Sequence, residues 1–208
     1  RKCKPNPERK RRVACFLESR PALALGVRIS LNQVWSTTMA RTCTLKGKPF
    51  SLSGPELKAG DKAPEATLKK GLLDSIKISE TRGKPRIFSV VPSLDTPVCA
   101  IQTKRFNEEA AKLSGVGIYT ISCDLPTAQA RFCGAEGIDR EKMQPLSDHA
   151  ETSFGKAWGT LVSDLRIECR AVFVVDKDDV IRYAEYVPEI ADQPNYDAVL
   201  ATVKKIAG

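Results

Sequence analysis

Val91-Pro-Ser-Leu-Asp-Thr-Pro-Val-Cys-Ala-Ile-Gln-Thr-Lys-Arg-Phe106 passes from an apolar run into a helix pattern at a Thr-Pro pair, with a cysteine two residues past the proline. Proline has a fixed φ and no NH to donate, so Pro97 suits the first position of a helix. Thr96 then reads as the N-cap and Cys99 as the third helical residue. From Pro97 onward, Val98, Ile101, Phe106, Ala110 and Leu113 recur at roughly helical spacing, with Lys104, Arg105, Asn107, Glu108 and Lys112 opposite. The pattern predicts a helix that docks one face on a core and carries a thiol in its first turn. Unpaired backbone NH groups and the dipole at that end favour thiolate over thiol, which makes Cys99 a candidate nucleophile. Free cysteines are also among the most buried residues, so placement alone leaves an inert core thiol open.

Working outward, Arg86 to Val91 reads as a buried strand ahead of that helix, and Val116 to Cys123 as a second one after it. A short helix is predicted around Thr127 to Phe132. Arg170 to Val175 and Val180 to Tyr186 read as two strands joined by the acidic turn Asp176 to Asp179, and Asn195 to Ile206 as a final helix. Its stripe of Tyr196, Val199, Leu200 and Val203 reads as core. Near the start, Thr42 to Leu52 suggests a hairpin turning at Lys46 to Pro49, followed by a loop at Gly60 to Glu65. The order implies an α/β fold with a central mixed sheet flanked by helices and an N-terminal β-hairpin. The Cys99 thiol would lie just past a strand's C-terminal end, where open α/β sheets tend to place their sites.

The chain has 208 residues and a net charge of +8, unevenly spread. Residues 1–38 hold nine Lys/Arg against two acids, leaving 24 basic and 23 acidic residues from Met39 onward. We therefore expect a basic extension over 1–38, disordered, upstream of a natural start or used in targeting, and one domain over 39–208. The nearly neutral domain gives no electrostatic footprint for nucleic acid, and no apolar run approaches the ~18 residues that read as a membrane span. Seven cysteines at irregular spacing, without C-x-x-C, do not resemble a secreted disulfide framework. With His149 the single histidine, a structural zinc site is not expected, and His149 itself reads as a surface or capping residue. Arg170 read by itself is a surface arginine at a strand start, Cys133 a small helix-end residue, and Cys123 a core or near-core residue. Cys169, one residue from Arg170, would point to the other face of a strand and reads as structural.

Pro92 to Cys99, P-S-L-D-T-P-V-C, resembles the P-x-x-x-T-x-x-C motif of peroxiredoxins. Asp124 to Gly137, D-L-P-T-A-Q-A-R-F-C-G-A-E-G, and Cys169 to Asp176, C-R-A-V-F-V-V-D, extend that resemblance to the thiol peroxidase branch, an atypical two-cysteine group, over about Lys46 to Gly208. The resemblance implies a thioredoxin-like fold, with Cys99 as peroxidatic and Cys133 as resolving cysteine. It further implies that Thr96 holds sulfur and peroxide through its hydroxyl, that Pro92 shields the site and that Arg170 reaches the thiolate. It implies no cofactor and no metal.

The expected function is reduction of hydrogen peroxide and alkyl hydroperoxides through a Cys99 sulfenic acid and a Cys99–Cys133 disulfide recycled by thioredoxin, in a cytoplasmic homodimer. The chemistry agrees, since a sulfenic acid condenses with a nearby thiol. A disulfide needs Cα atoms within about 7 Å, so thiols on separate helices require local unwinding of both segments. The alternatives are a one-cysteine peroxidase recycled by an external thiol and a peroxide-responsive redox sensor or holdase. Binding of nucleic acid or membrane by the leader ranks below these.

Overall fold

The computed structural model describes residues 41–110 and 112–207. The basic extension, Met39, Cys3 and Cys15 lie outside the described residues. Seven strands form the main sheet: β3 (Thr67–Lys69), β4 (Ser75–Lys77), β5 (Arg86–Val90), β6 (Gly117–Ser122), β7 (Met143–Ser147), β10 (Ala171–Val175) and β11 (Ile181–Tyr186), in the order β11-β10-β5-β6-β7-β3-β4. Strands β5, β6 and β7 run parallel, and the remaining pairings are antiparallel. A smaller sheet joins β1 (Thr42–Leu45) and β2 (Lys48–Ser53), the expected hairpin, to β8 (Leu161–Val162) and β9 (Ile167–Glu168). The mixed sheet has helices on both faces, as expected.

Strand alternation explains the two layers. On β5 and β10, Phe88, Val90, Ala171, Phe173 and Val175 face one side; Ile87, Val172 and Val174 face the other. The first side packs under α3 (Ser153–Trp158) and the smaller sheet, through stacked Phe154 and Trp158 with Phe88 and Phe173 tilted against the indole. Truncating Phe88 there would cost about 3–5 kcal/mol. The second side packs under α1 (Pro97–Ala110), α2 (Pro126–Glu136) and α4 (Tyr196–Ala207), through Phe106, Cys133, Tyr196, Val199 and Val203. Cys99 and Cys133 therefore sit on different helices above one face.

Three predictions need correction. The helix expected around Thr127 to Phe132 runs from Pro126 to Glu136, so Cys133 lies inside its last turn. It closes at Gly137, whose φ of 65° suits glycine, with the Gly137 NH on the Cys133 carbonyl. Strand β7 was not foreseen, because Pro145 interrupts M-Q-P-L-S. Proline is tolerated there because β3 meets β7 at Lys69 and Ser147, leaving Pro145 without a partner on that side. The α1 stripe was also misplaced: Cys99, Gln102, Thr103 and Phe106 are buried, whereas Ile101 is 55% exposed. Phe106 and the polar opposite side agree with the reading.

The C-terminal ends of β5, β6 and β7 share one edge of the sheet. Ala171 pairs with Val90, so the antiparallel strand β10 starts at that same edge and delivers Arg170 to it.

Candidate active site

Strand β5 ends in a fully buried Val90-Val91 pair, and the chain turns through Pro92 to Thr96 into α1. The Ala100 NH donates to the Thr96 carbonyl at 2.9 Å, so Thr96 is where the helix begins, with Pro97 the first helical residue. Cys99, only 1% exposed, packs with Val91 and Leu94 beneath Phe132. Pro92 is buried beside this cluster.

Arg170 reaches the same place from β10 and is equally buried. Its Nη2 donates to Cys99 Sγ at 3.3 Å, its Nη1 to Gln102 Oε1 at 2.5 Å and its Nε to the Ile190 carbonyl at 2.8 Å. Gln102 in turn donates to Ser89 Oγ at 2.8 Å. Among the described residues no carboxylate lies within ion-pair distance of Arg170, so its charge is presented to the sulfur rather than cancelled. A forked, permanently charged donor aimed at a thiol on a helix's first turn is suited to a sulfur that becomes an anionic nucleophile.

Thr96 is exposed, and its hydroxyl donates to the Ser93 carbonyl at 3.1 Å, which leaves its lone pairs free to accept. Gln193 Nε2 fastens the same turn from the other side, donating to the Val98 carbonyl at 3.1 Å.

Cys133 is buried among Ile87, Phe106, Ile118 and Met143. Burial pushes its thiol up, with Arg140 opposing. Its carbonyl accepts from both Gly137 and Ile138 NH groups at the end of α2. All five cysteines among the described residues are free thiols.

The remaining thiols face different surroundings. Cys169 is buried in the aromatic layer on the far side of the sheet, and burial raises it well above the ordinary value. Half-buried Cys123 donates to Glu168 Oε1 at 3.6 Å, and burial with the nearby Glu168 and Asp148 raises it strongly. Glu168 is itself pushed up to about 8 by burial and by Asp148. Asp148 accepts from the Phe154 and Gly155 NH groups, which hold the pair's negative charge on Asp148 and its proton on Glu168. Gly155 is required there, since a Cβ would fall 2.7 Å from Glu168 Oε1. His149 sits at the end of β7 with Nδ1 2.8 Å from Ser147 Oγ.

Reading the sequence missed two site residues. Gln102 was given no role, and its position three residues after Cys99 was the available signal. Asp124 was quoted within a motif without a role; its carboxylate is bonded to the loop ahead of Cys99.

The chain is similar to known proteins in both sequence and fold. A family model described as Redoxin matches residues 58–200. The thiol peroxidase of Bacillus subtilis is 50% identical over 163 residues, covering 78% of this chain and 96% of that protein. The thiol peroxidase of Streptococcus pneumoniae is 44% identical, covering 78% and 99%. Among solved structures, a peroxiredoxin-like protein from Aquifex aeolicus superposes with a TM-score of 0.72 at 42% identity, covering 80% of this chain and 98% of that one.

Proposed function

The chain belongs to the redoxin family and is a thiol-dependent peroxidase of the thiol peroxidase branch, and on that premise we propose that Cys99 is its peroxidatic cysteine and Cys133 its resolving one. The observation that carries the assignment is the Arg170 hydrogen bond into the Cys99 sulfur. In the first step the Cys99 thiolate attacks one peroxide oxygen with its electron pair. The O–O bond breaks, Cys99 becomes a sulfenic acid, and the departing oxygen leaves as water or an alcohol after taking a proton. Arg170 stabilises charge on the sulfur and on the departing oxygen, Thr96 accepts the peroxide OH, and Pro92 keeps water from the thiolate.

In the second step the Cys133 sulfur attacks the sulfenic sulfur, forming the disulfide and releasing water. Burial that keeps Cys133 a thiol in the folded form delays this attack until the last turn of α2 and the first turn of α1 open. Both are helix ends, the segments that unwind at least cost. A dithiol then reduces the disulfide, and thioredoxin is the proposed donor. Alkyl hydroperoxides as substrates and a homodimer are proposed on the strength of the resemblance to the thiol peroxidase branch, with Ile101, 55% exposed beside Cys99 on α1, as an apolar residue near the site. Dependence on reducible thiols supports a cytoplasmic setting. No helix among the described residues is long and apolar enough to cross a membrane. The family match within 58–200 supports a peroxidase domain over 39–208, with 1–38 as a separate basic extension.

The test is a coupled assay with thioredoxin and its reductase. Cys133→Ser should still consume one equivalent of peroxide per chain and then stop. Continued recycling in that variant would remove Cys133 from the cycle.

A further inference from the structure

We propose that Asp124 is a positioning residue that latches the loop ahead of Cys99 to the root of the Cys133 helix, and so sets how the Cys99 sulfenic acid divides between Cys133 and a second peroxide. The proposal rests on the two-cysteine cycle described above. Asp124 follows β6 and directly precedes Leu125, the N-cap of α2. Its Oδ1 accepts from Ser93 Oγ at 2.7 Å, and its Oδ2 accepts from the Leu94 NH at 2.7 Å and from Ser122 Oγ at 2.8 Å. Among the described residues no lysine or arginine lies within ion-pair distance of it, so these donors alone satisfy the carboxylate.

The two sides of the latch differ in rigidity. On one side Ser147 Oγ donates to the Asp124 carbonyl at 2.5 Å, and Gln129 Nε2 bridges Ser122 Oγ and the Leu146 carbonyl at 3.0 Å each, which ties Asp124 to the ends of β6 and β7. On the other side are Ser93 and Leu94. Leu94 packs on Cys99, and the Ser93 carbonyl takes the Thr96 hydroxyl. Releasing Asp124 therefore removes the loop's tie to the sheet edge without dismantling the sheet, leaving the turn held by Gln193 at the Val98 carbonyl and by the exposed Arg131–Asp95 pair.

Two reactions compete for the sulfenic acid. Attack by Cys133 gives a disulfide and water, and it needs the two segments released so that their Cα atoms come within about 7 Å. Attack on a second peroxide gives a sulfinic acid plus water or an alcohol, and it needs the loop held, since Arg170 and Thr96 must again surround the oxidised sulfur. A latch favours the second reaction and disfavours the first. Loss of one hydrogen bond to a charged acceptor shifts a held-to-released equilibrium by roughly tenfold or more.

The test compares the full-length reduced chain with Ser93→Ala, Asp124→Asn and Asp124→Ala after rapid mixing with one equivalent and then graded excesses of hydrogen peroxide, followed by quenching and peptide mass analysis. Ser93→Ala should form the Cys99–Cys133 link about tenfold faster and require a correspondingly larger peroxide excess for half-maximal sulfinic acid. Asp124→Ala should exceed it, and Asp124→Asn should fall between wild type and Asp124→Ala. A merely structural role would slow the first oxidation without moving the ratio of disulfide to sulfinic product. If Asp124→Ala does not fold, Ser93→Ala decides. An unchanged ratio, or one moved toward sulfinic acid, overturns the latch; a wild-type chain that forms no Cys99–Cys133 link overturns the two-cysteine cycle instead.

Discussion

Cys99 and Cys123 each meet one ionisable side chain from the chain segment leading into β10, a guanidinium for one and a protonated carboxyl for the other, and the two side chains are only two residues apart. Cys99 receives a hydrogen bond from the Arg170 guanidinium, and Cys123 gives one to the Glu168 carboxyl. Cys99 is the more buried of the two, yet it is the one placed for nucleophilic chemistry. The two thiols thus differ less in access than in what they face, a cation for one and an acidic pair for the other. An uncancelled guanidinium offers an anion its partner, whereas burial, reinforced by the acidic Glu168–Asp148 pair, holds the Cys123 thiol in its protonated form.

The sharpest way to break that contrast is to remove each thiol in turn. Cys99→Ser should lose at least ~1,000-fold in peroxidase turnover, while Cys123→Ser should retain turnover close to wild type in the same coupled assay. Comparable losses in both would mean that charge sign does not separate the two sites. Next in size is Arg170→Met, for which a fall of about 100-fold or more in kcat/KM is expected, since it removes the donor to both sulfur and departing oxygen. Gln102→Ala leaves the guanidinium in place but unties one of its three anchors. A loss of about tenfold in kcat/KM, with little change in the melting midpoint, would mark Gln102 as orienting Arg170.

The smallest effect on activity is expected at the acidic side of the contrast. Glu168 holds its proton up to about pH 8 in the folded chain, against an ordinary value of 4.5. The unfolded chain therefore gives up that proton first as pH rises, so folding stability should fall between about pH 4.5 and about pH 8 and level off above. Glu168→Gln should flatten that slope in denaturant titrations across this range, with turnover largely kept. A wild-type slope of the opposite sign, or one unchanged in Glu168→Gln, would show that the proton is held elsewhere.

How much of this could be read in the sequence depended on which residues signal through period and which through partners. Strands β5 and β10 announce themselves as apolar runs, and Pro97 marks the start of α1, so the thiol's position at the sheet edge was legible. Arg170 was legible only through family resemblance, because nothing in a strand-start arginine says that it turns inward. Strand β7 was hidden by Pro145, whose place beside an unpaired stretch becomes clear only with the sheet assembled. Gln102 and Asp124 were hidden for a related reason. Each is a polar residue that works by meeting groups far along the chain, Arg170 and Ser89 for one, Ser93 and Leu94 for the other. Hydrophobic periodicity therefore misaligned the α1 stripe at the point where the site replaces apolar packing by buried hydrogen bonds.

The proposal that charge placement selects Cys99 as the thiol that meets peroxide turns on which sulfur is oxidised first. Its most direct measurement is peptide mass after one equivalent of hydrogen peroxide, with every remaining thiol alkylated under denaturing conditions. Oxidation is expected at Cys99 alone, linked to Cys133, with Cys123 and Cys169 recovered as alkylated thiols. Oxidation found first at Cys123, or spread evenly over the thiols, would contradict it.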